Sequence, residues 1–172
     1  MTTTITTQEM KVKTGTIDIG ISVQIRQEVA DILNRMLSDE FVFYTKLRNY
    51  HWNVVGPLFQ PLHEIFEEQY DQVAEIIDEA AERTRMLGMK STGTMQQFLQ
   101  QTTLEEQPNE YPKAAAMIAN LVADHEALIR NLRHDIEACE EFGDAGTVDF
   151  LTVSMAKHEK MAWLLRAFLE ES

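Results

Sequence analysis

The chain is poor in cysteine, proline and glycine, with 1, 4 and 7 of them in 172 residues. A single cysteine, Cys139, excludes an internal disulfide framework and suits a reducing compartment. We expect it to be a small buried hydrophobic residue. So few helix-breaking residues, together with 44% hydrophobic content, predict one ordered helical domain.

Long apolar runs are also absent from the sequence. No stretch approaches the roughly 18 apolar residues of a membrane span. The N-terminal stretch MTTTITTQEMKVK lacks the apolar segment of a secretory signal. We therefore expect a cytoplasmic protein without a membrane partner.

Positive charge is scarce: the chain has 15 basic residues and 28 acidic ones, which gives a formal net charge of −13. Such a surface repels phosphate backbones and attracts cations. The N-terminal segment offers Lys11 and Lys13 against Glu9 and Asp18, and the C-terminus is acidic. We therefore expect weak or absent DNA binding near neutral pH.

Hydrophobic residues recur at helical spacing in four long segments. These run from Val23 to about Asn53, Leu58 to Leu87, Pro112 to Phe142 and Val148 to Leu169. A short helix over 94–100 is predicted inside the long connection of residues 88–112, and a turn at 143–146. Short first and third loops with a long middle connection predict an all-α, ferritin-like four-helix bundle over 22–172. Residues 1–21 are Thr-rich and predict a flexible tail.

Two histidines and three acids have the spacing of metal ligands. His63 and Glu67 are four residues apart, as are Asp78 and Glu82, so each couple shares one helix face. His51 continues the apolar stripe of the preceding helix. Nitrogen and carboxylate ligands without a thiolate suit iron, manganese or zinc. The alternative is a solvated acidic face with incidental histidines.

One chain cannot easily close a site from both couples, because Asp78 lies about 22 Å beyond His63 along a helix. An antiparallel helix from a symmetric partner would bring one chain's acids to the other chain's histidines. The sequence therefore predicts a metal site shared between subunits. A di-iron site inside one bundle uses Glu-x-x-His on two helices, and none of the five histidines has Glu three residues before it.

The residues around these ligands resemble the signatures of Dps proteins, the DNA-binding proteins from starved cells. The first match is His51-Trp52-Asn53-Val54-Val55-Gly56, followed by Leu62-His63 and the acid at 67. The second is Ile77-Asp78-Glu79-Ala80-Ala81-Glu82-Arg83, followed by Leu87-Gly88. The helix plan is similar over about residues 22–170.

This resemblance implies a hollow dodecamer that oxidises Fe(II), preferably with hydrogen peroxide, and stores ferric mineral. It implies that Asp78 and Glu82 bind one iron with His51 of the neighbouring subunit. His63 and Glu67 then lie at the second, weaker iron position. Many family members have Asp where this chain has Glu67, whose longer arm can shift the second metal.

Other polar and aromatic residues allow two interpretations each. Trp52 and Trp163 pack, or they take up an oxidising equivalent when only one Fe(II) is bound, with Trp52 the candidate beside His51. Asp144 and Asp149, with Glu140 and Glu141 before them, form a solvated helix end or, as in the similar family, line pores that admit iron.

His125 and His158 lie on apolar stripes and suit a satisfied core or interface position, with a secondary metal site as the alternative. His134 is expected at the surface.

Three functions therefore compete at this point. The first is a peroxide-consuming ferroxidase that also stores iron. The second is a nucleoid-condensing protein, for which the basic tail is missing. The third is a metal-buffering or scaffold bundle without turnover.

Overall fold

The computed structural model describes residues 17–170, which form five α-helices and no strand. The helices are α1 (Val23–Asn53), α2 (Phe59–Met86), α3 (Met95–Gln101), α4 (Ala114–Glu141) and α5 (Ala145–Arg166). The all-α prediction with a short extra helix in the crossover is confirmed. Three boundaries were wrong: α4 begins two residues after Pro112, α5 begins inside the predicted 143–146 turn, and α5 ends at Arg166 rather than near Leu169.

Side-chain caps explain where three of the helices begin. Ser22 Oγ accepts a hydrogen bond from the backbone N–H of Ile25, and Thr94 does the same for Gln97 before α3. Asp144 caps α5 by accepting from the N–H of Thr147, which is why the helix starts earlier than the glycines suggested. Gly88 ends α2 with φ +79°, a left-handed conformation that glycine adopts readily.

The long helices pack as two hairpins, α1 with α2 and α4 with α5. The hairpins meet mainly through α1 against α4, and the crossover helix α3 lies on α1. Each long helix turns its apolar stripe to the shared core, which contains the large, fully buried side chains Phe43, Phe66, Leu33, Leu47, Leu62, Met117 and Leu121. Cys139 is buried as predicted, and burial raises the pKa of its thiol to about 12.

Helical spacing of the apolar residues also predicts Phe59 on the core stripe of α2, and this prediction is wrong. Phe59 is 46% exposed, because it begins the helix where the bundle ends. It joins Trp52, Val55 and Leu58 as exposed apolar side chains around the α1–α2 turn.

The predicted N-terminal tail falls mostly on residues 1–16, which lie outside the described residues. Residues 17–22 precede α1 without helical structure, and Ile17 packs against Gly88. Within 17–170, no helix is long and apolar enough to cross a membrane. The cytoplasmic location stays a prediction.

Candidate metal centre

His51 and His63 form a stacked pair where α1 and α2 meet. Their ring centroids are 3.7 Å apart and the planes differ by 18°. The Nδ1 of His51 lies 2.8 Å from the carbonyl oxygen of His63, and the Nδ1 of His63 lies 2.9 Å from the carbonyl oxygen of His51. The two residues therefore fix each other through reciprocal contacts across the turn.

These contacts decide which nitrogen of each ring is free. A carbonyl oxygen only accepts hydrogen bonds, so both Nδ1 atoms must carry the proton. In the neutral imidazole the lone pair is then on Nε2. Metal-binding histidines use this arrangement, because the second nitrogen sets the tautomer and the ring orientation. Each neutral ring then offers Nε2 as a nitrogen donor of the kind that binds iron, manganese or zinc.

Glu67 is exposed one helical turn after His63, and its carboxylate is held by Tyr70. The Tyr70 hydroxyl donates a 2.9 Å hydrogen bond to Oε1 of Glu67. The same tyrosine ring meets the His51 ring edge-on, with centroids 5.3 Å apart. Burial, and then the hydrogen bond to Glu67, raise the pKa of Tyr70, so the hydroxyl keeps its proton and acts as the donor. Tyr70 thus contacts both candidate ligand groups.

Arg48 lies with its guanidinium over the Tyr70 ring. Its guanidinium carbon lies 4.5 Å from the Tyr70 ring centroid and 5.1 Å from the Trp52 ring. It also donates a 3.1 Å hydrogen bond to the hydroxyl of Tyr44. Trp52 and Trp163 are 65% and 61% exposed within one chain, so neither ring is buried in its core.

Asp78 and Glu82 are both exposed on α2, four to five turns beyond His63. Because α2 is one continuous helix, the two couples stay about 22 Å apart along it. Among residues 17–170, no three His, Cys, Asp or Glu side chains of one chain lie close enough to hold a metal ion. The structure brings His51, His63 and Glu67 to one end of α2, and it does not bring Asp78 or Glu82 to them.

Comparison with known proteins places the chain in a family. A model of the ferritin-like domain matches residues 30–172. The chain is 37% identical to DNA protection during starvation protein 2 of Bacillus anthracis, over 86% of this chain and all of that protein. It is also 48% identical to an uncharacterized low temperature-induced protein of Nostoc sp. (strain PCC 7120), over 90% of this chain and 87% of that one.

Solved structures show the same relationship. Dps from Thermosynechococcus elongatus superimposes with a TM-score of 0.83 at 33% identity, covering 87% of this chain and 95% of that one. The chain belongs to the Dps family. Dps from Vibrio cholerae, described as a member of a superfamily of ferritin-like diiron-carboxylate proteins, gives a TM-score of 0.85 at 32% identity, over 90% and 97% of the two chains.

The candidate pore acids of this Dps-family chain differ in their surroundings. Asp144 is 1% exposed, and its carboxylate accepts from the backbone N–H and hydroxyl of Thr147 and pairs with Arg83 at 2.6 Å. That carboxylate faces the protein, so its role is to cap α5 and tie it to α2. Asp149, Glu140 and Glu141 are exposed, and they stay predictions as pore residues.

The three remaining histidines comprise one exposed residue and one buried pair, as the sequence predicted. His134 is exposed, whereas His125 and His158 are fully buried and their Nδ1 atoms lie 2.9 Å apart. Their apolar stripes predicted a core or interface position for this pair, with a secondary metal site as the alternative, but not its contacts with Glu40 and Gln69. The sequence did not single out Tyr70 as a site residue. Its spacing of three residues from Glu67, like that of Arg48 from His51, already indicated a shared helix face.

Proposed function

We propose that this chain is a ferroxidase and iron-storage protein that protects against oxidative stress. It oxidises Fe(II), preferably with hydrogen peroxide, at centres shared between the subunits of a dodecameric cage that stores the ferric mineral. The observation that carries this proposal is the His51–His63 pair. Both neutral imidazoles present Nε2, whereas Asp78 and Glu82, the acids proposed to complete the centre, lie four to five turns beyond His63 on α2.

The proposed centre takes ligands from two copies of the chain. Asp78 and Glu82 of one subunit, with His51 of a second copy, bind the first Fe(II). His63 and Glu67 provide the second, weaker position. Two-fold symmetry makes every such dimer carry two equivalent centres, because each subunit gives both halves. The exposed apolar side chains near the α1–α2 turn supply surface for that contact.

Pairing two Fe(II) ions fits the stoichiometry of peroxide reduction. One hydrogen peroxide molecule accepts two electrons, one from each Fe(II), and its O–O bond breaks to give two hydroxide ions. A single Fe(II) supplies one electron and releases a hydroxyl radical instead. The centre therefore removes both reactants of a damaging reaction. Zinc and manganese are proposed as substitutes, since the same ligand types bind them.

The residues of this chain prepare the site before iron arrives. The carbonyl contacts of His51 and His63 hold the Nδ1 protons and fix the orientation of both rings, so each neutral imidazole presents Nε2 and little reorganisation is needed on binding. Tyr70 restrains the carboxylate of Glu67 through its hydroxyl. The excess of acidic residues, with a net charge of −13, concentrates Fe(II) near the protein.

Mixing two inactive variants tests whether the centre is shared. His51→Ala and Asp78→Ala subunits are each expected to form inactive particles. When they are unfolded together and reassembled in equal amounts, half of the dimers are mixed, and each mixed dimer has one intact centre. Peroxide-dependent Fe(II) oxidation should then recover to about a quarter of the wild-type rate, given a two-fold interface.

A matched control uses the double variant His51→Ala/Asp78→Ala mixed equally with wild type. Shared centres predict about a quarter of the wild-type rate, whereas centres within one chain predict about a half. No recovery in the first mixture together with half activity in the control would contradict the proposal. Stopped-flow oxidation with peroxide and with oxygen distinguishes an enzyme from a metal-buffering scaffold.

DNA protection is the second candidate function, because the Bacillus anthracis relative is named for it. Binding to duplex DNA needs several cationic contacts to phosphate, and this chain has 15 basic against 28 acidic residues. We propose that any protection of DNA comes from removing Fe(II) and peroxide rather than from contact with the duplex.

A further inference from the structure

Four polar side chains, one from each long helix, meet at the centre of the bundle. They are Glu40 of α1, Gln69 of α2, His125 of α4 and His158 of α5, and none is more than 1% exposed. They form a row of three contacts. Glu40 Oε1 lies 2.9 Å from Nε2 of His158, and Nδ1 of His158 lies 2.9 Å from Nδ1 of His125. At the other end of the row, Nε2 of His125 lies 3.3 Å from Oε1 of Gln69. Such a row in a protein core is stable only if each contact contains a proton.

Both ends of this row are hydrogen-bond acceptors. Glu40 presents a carboxylate oxygen, and Gln69 presents its amide oxygen, because its amide nitrogen donates to the carbonyl of Met161 at 3.2 Å. Reversing the amide would set its oxygen against that carbonyl. Three contacts therefore need three protons, whereas two neutral imidazoles carry two. The row lacks one proton if both histidines are neutral and Glu40 is ionised.

We propose that the core holds this additional proton, with His158 as an imidazolium ion paired with the carboxylate of Glu40. His158 then donates from Nε2 to Glu40 and from Nδ1 to His125, and neutral His125 donates from Nε2 to Gln69. Every contact is satisfied and the cluster has no net charge. This matters because the second oxygen of Glu40 has no hydrogen-bond partner, and a buried carboxylate without a counter-charge is costly.

The distance between the imidazoles favours a proton over a metal ion. A separation of 2.9 Å is the usual length of a hydrogen bond between two nitrogens. Zinc–nitrogen bonds of about 2.0–2.1 Å would hold two tetrahedral ligands more than 3 Å apart. Burial, and then the neighbouring His158, lower the pKa of His125 well below its usual value, so the extra charge belongs on the His158 side.

The groups around this cluster allow it to titrate separately from the other acids of the bundle. The titratable groups in contact with His158 are Glu40 from α1 and His125 from α4, and α2 contributes the neutral Gln69. Phe43 packs against both imidazole rings. Three other buried or half-buried acids of α1 and α4 have partners of their own: Asp39 with Thr102 and Thr103, Asp124 with Lys46, and Asp135 with Arg35.

The consequence is a fold whose stability falls in alkaline solution. An unfolded histidine loses its proton near pH 6.5, whereas the folded core retains one above that pH. The folded state then binds one more proton than the unfolded state, so stability decreases as pH rises. The unfolding equilibrium constant should increase by up to about tenfold per pH unit, until the core itself loses the proton.

Nitrogen NMR of the full-length assembled protein, labelled with 15N-histidine and treated with a chelator, tests the proposal directly. At pH 8.5 one imidazolium, with both nitrogens protonated, is expected in the wild type. Glu40→Gln should abolish this signal, because the amide removes the counter-charge. The same substitution should flatten the pH dependence of unfolding between pH 7 and 9. Glu126→Gln is the matched control, since Glu126 is exposed on α4 and pairs with Arg166.

Each outcome supports or overturns the proposal. An imidazolium signal that survives in Glu126→Gln and disappears in Glu40→Gln supports it. Absence of that signal from wild type at pH 8.5 overturns it, and this result needs no variant to fold. Equal slopes of the unfolding free energy against pH for wild type and Glu40→Gln also overturn it. A metal that resists the chelator in wild type and is lost in His125→Gln overturns it as well. All of these readouts are independent of iron oxidation.

Discussion

The hydroxyl of Tyr70 donates a 2.9 Å hydrogen bond to the carboxylate of Glu67, while the tyrosine ring lies edge-on to His51. One buried side chain thus connects the imidazole from α1 with the acid from α2. Glu67 has a longer arm than the aspartate expected from the family signature. The bond to Tyr70 restrains that arm, and this explains how an exposed glutamate can keep one position.

Replacing Tyr70 with Phe should weaken the second iron position. The ring and its packing remain, but the carboxylate of Glu67 loses its hydrogen bond, which contributes about 0.5–1.5 kcal/mol. We expect Fe(II) affinity at that position to fall by roughly two- to tenfold, measured by anaerobic Fe(II) titration. Tyr44→Phe is the control, because Tyr44 bonds to Arg48 and not to Glu67. Equal affinities for wild type and Tyr70→Phe would count against this role.

Trp52→Phe should increase radical release when Fe(II) is limiting. Trp52 follows His51 in the chain, and its ring shares the Arg48 guanidinium with the ring of Tyr70, so we predict that it takes up the oxidising equivalent when only one Fe(II) is bound. Spin-trapping of hydroxyl radical under peroxide measures the effect. Trp163→Phe on α5 serves as the comparison. An unchanged radical yield in Trp52→Phe would remove the assignment.

Asp149→Asn should slow iron uptake without changing the proposed ligands. Asp149 is exposed on the first turns of α5, where removal of its charge weakens attraction for Fe(II) at the predicted pore. The initial rate of mineral formation under peroxide is the measurement. Anaerobic binding of the first Fe(II) ions per subunit should stay at the wild-type value. Wild-type uptake rates in this variant would exclude Asp149 from the entry route.

Asp144→Asn should instead destabilise the fold. Asp144 caps α5 and pairs with Arg83, and removing its charge leaves that guanidinium without its partner. We expect a loss of about 2–4 kcal/mol in the free energy of unfolding, since a largely buried pair is broken. Thermal unfolding of the variant checks this, with Glu141→Gln as an exposed control. A wild-type melting temperature for Asp144→Asn would show that the cap contributes little.

DNA should not be retarded by the purified protein in a gel-shift assay at moderate salt and neutral pH. The reason is the formal net charge of −13 per chain, which opposes the phosphate backbone. Clear retardation under these conditions would show that residues of the N-terminal segment or a local basic patch dominate over the net charge.

Most of the fold could be predicted from local patterns. Apolar spacing located all four long helices, and Gly56-Pro57 and Gly88 placed two of their ends. The errors came from competition between local signals. Pro112 suggested an early start for α4, whereas Lys113 occupies the N-cap position. Gly143 and Gly146 suggested a longer turn, but the Asp144 cap starts the helix between them.

The sequence alone determined the residue types of the candidate ligands, their helical phase and the distance that separates the two couples on α2, because helix geometry converts residue spacing directly into position. Only the tertiary structure decided which nitrogen of His51 and His63 is free, that Tyr70 holds Glu67, and that Glu40 faces His158 across the core. These depend on side chains from different helices, and the distance between such residues in space is not encoded in their separation along the chain.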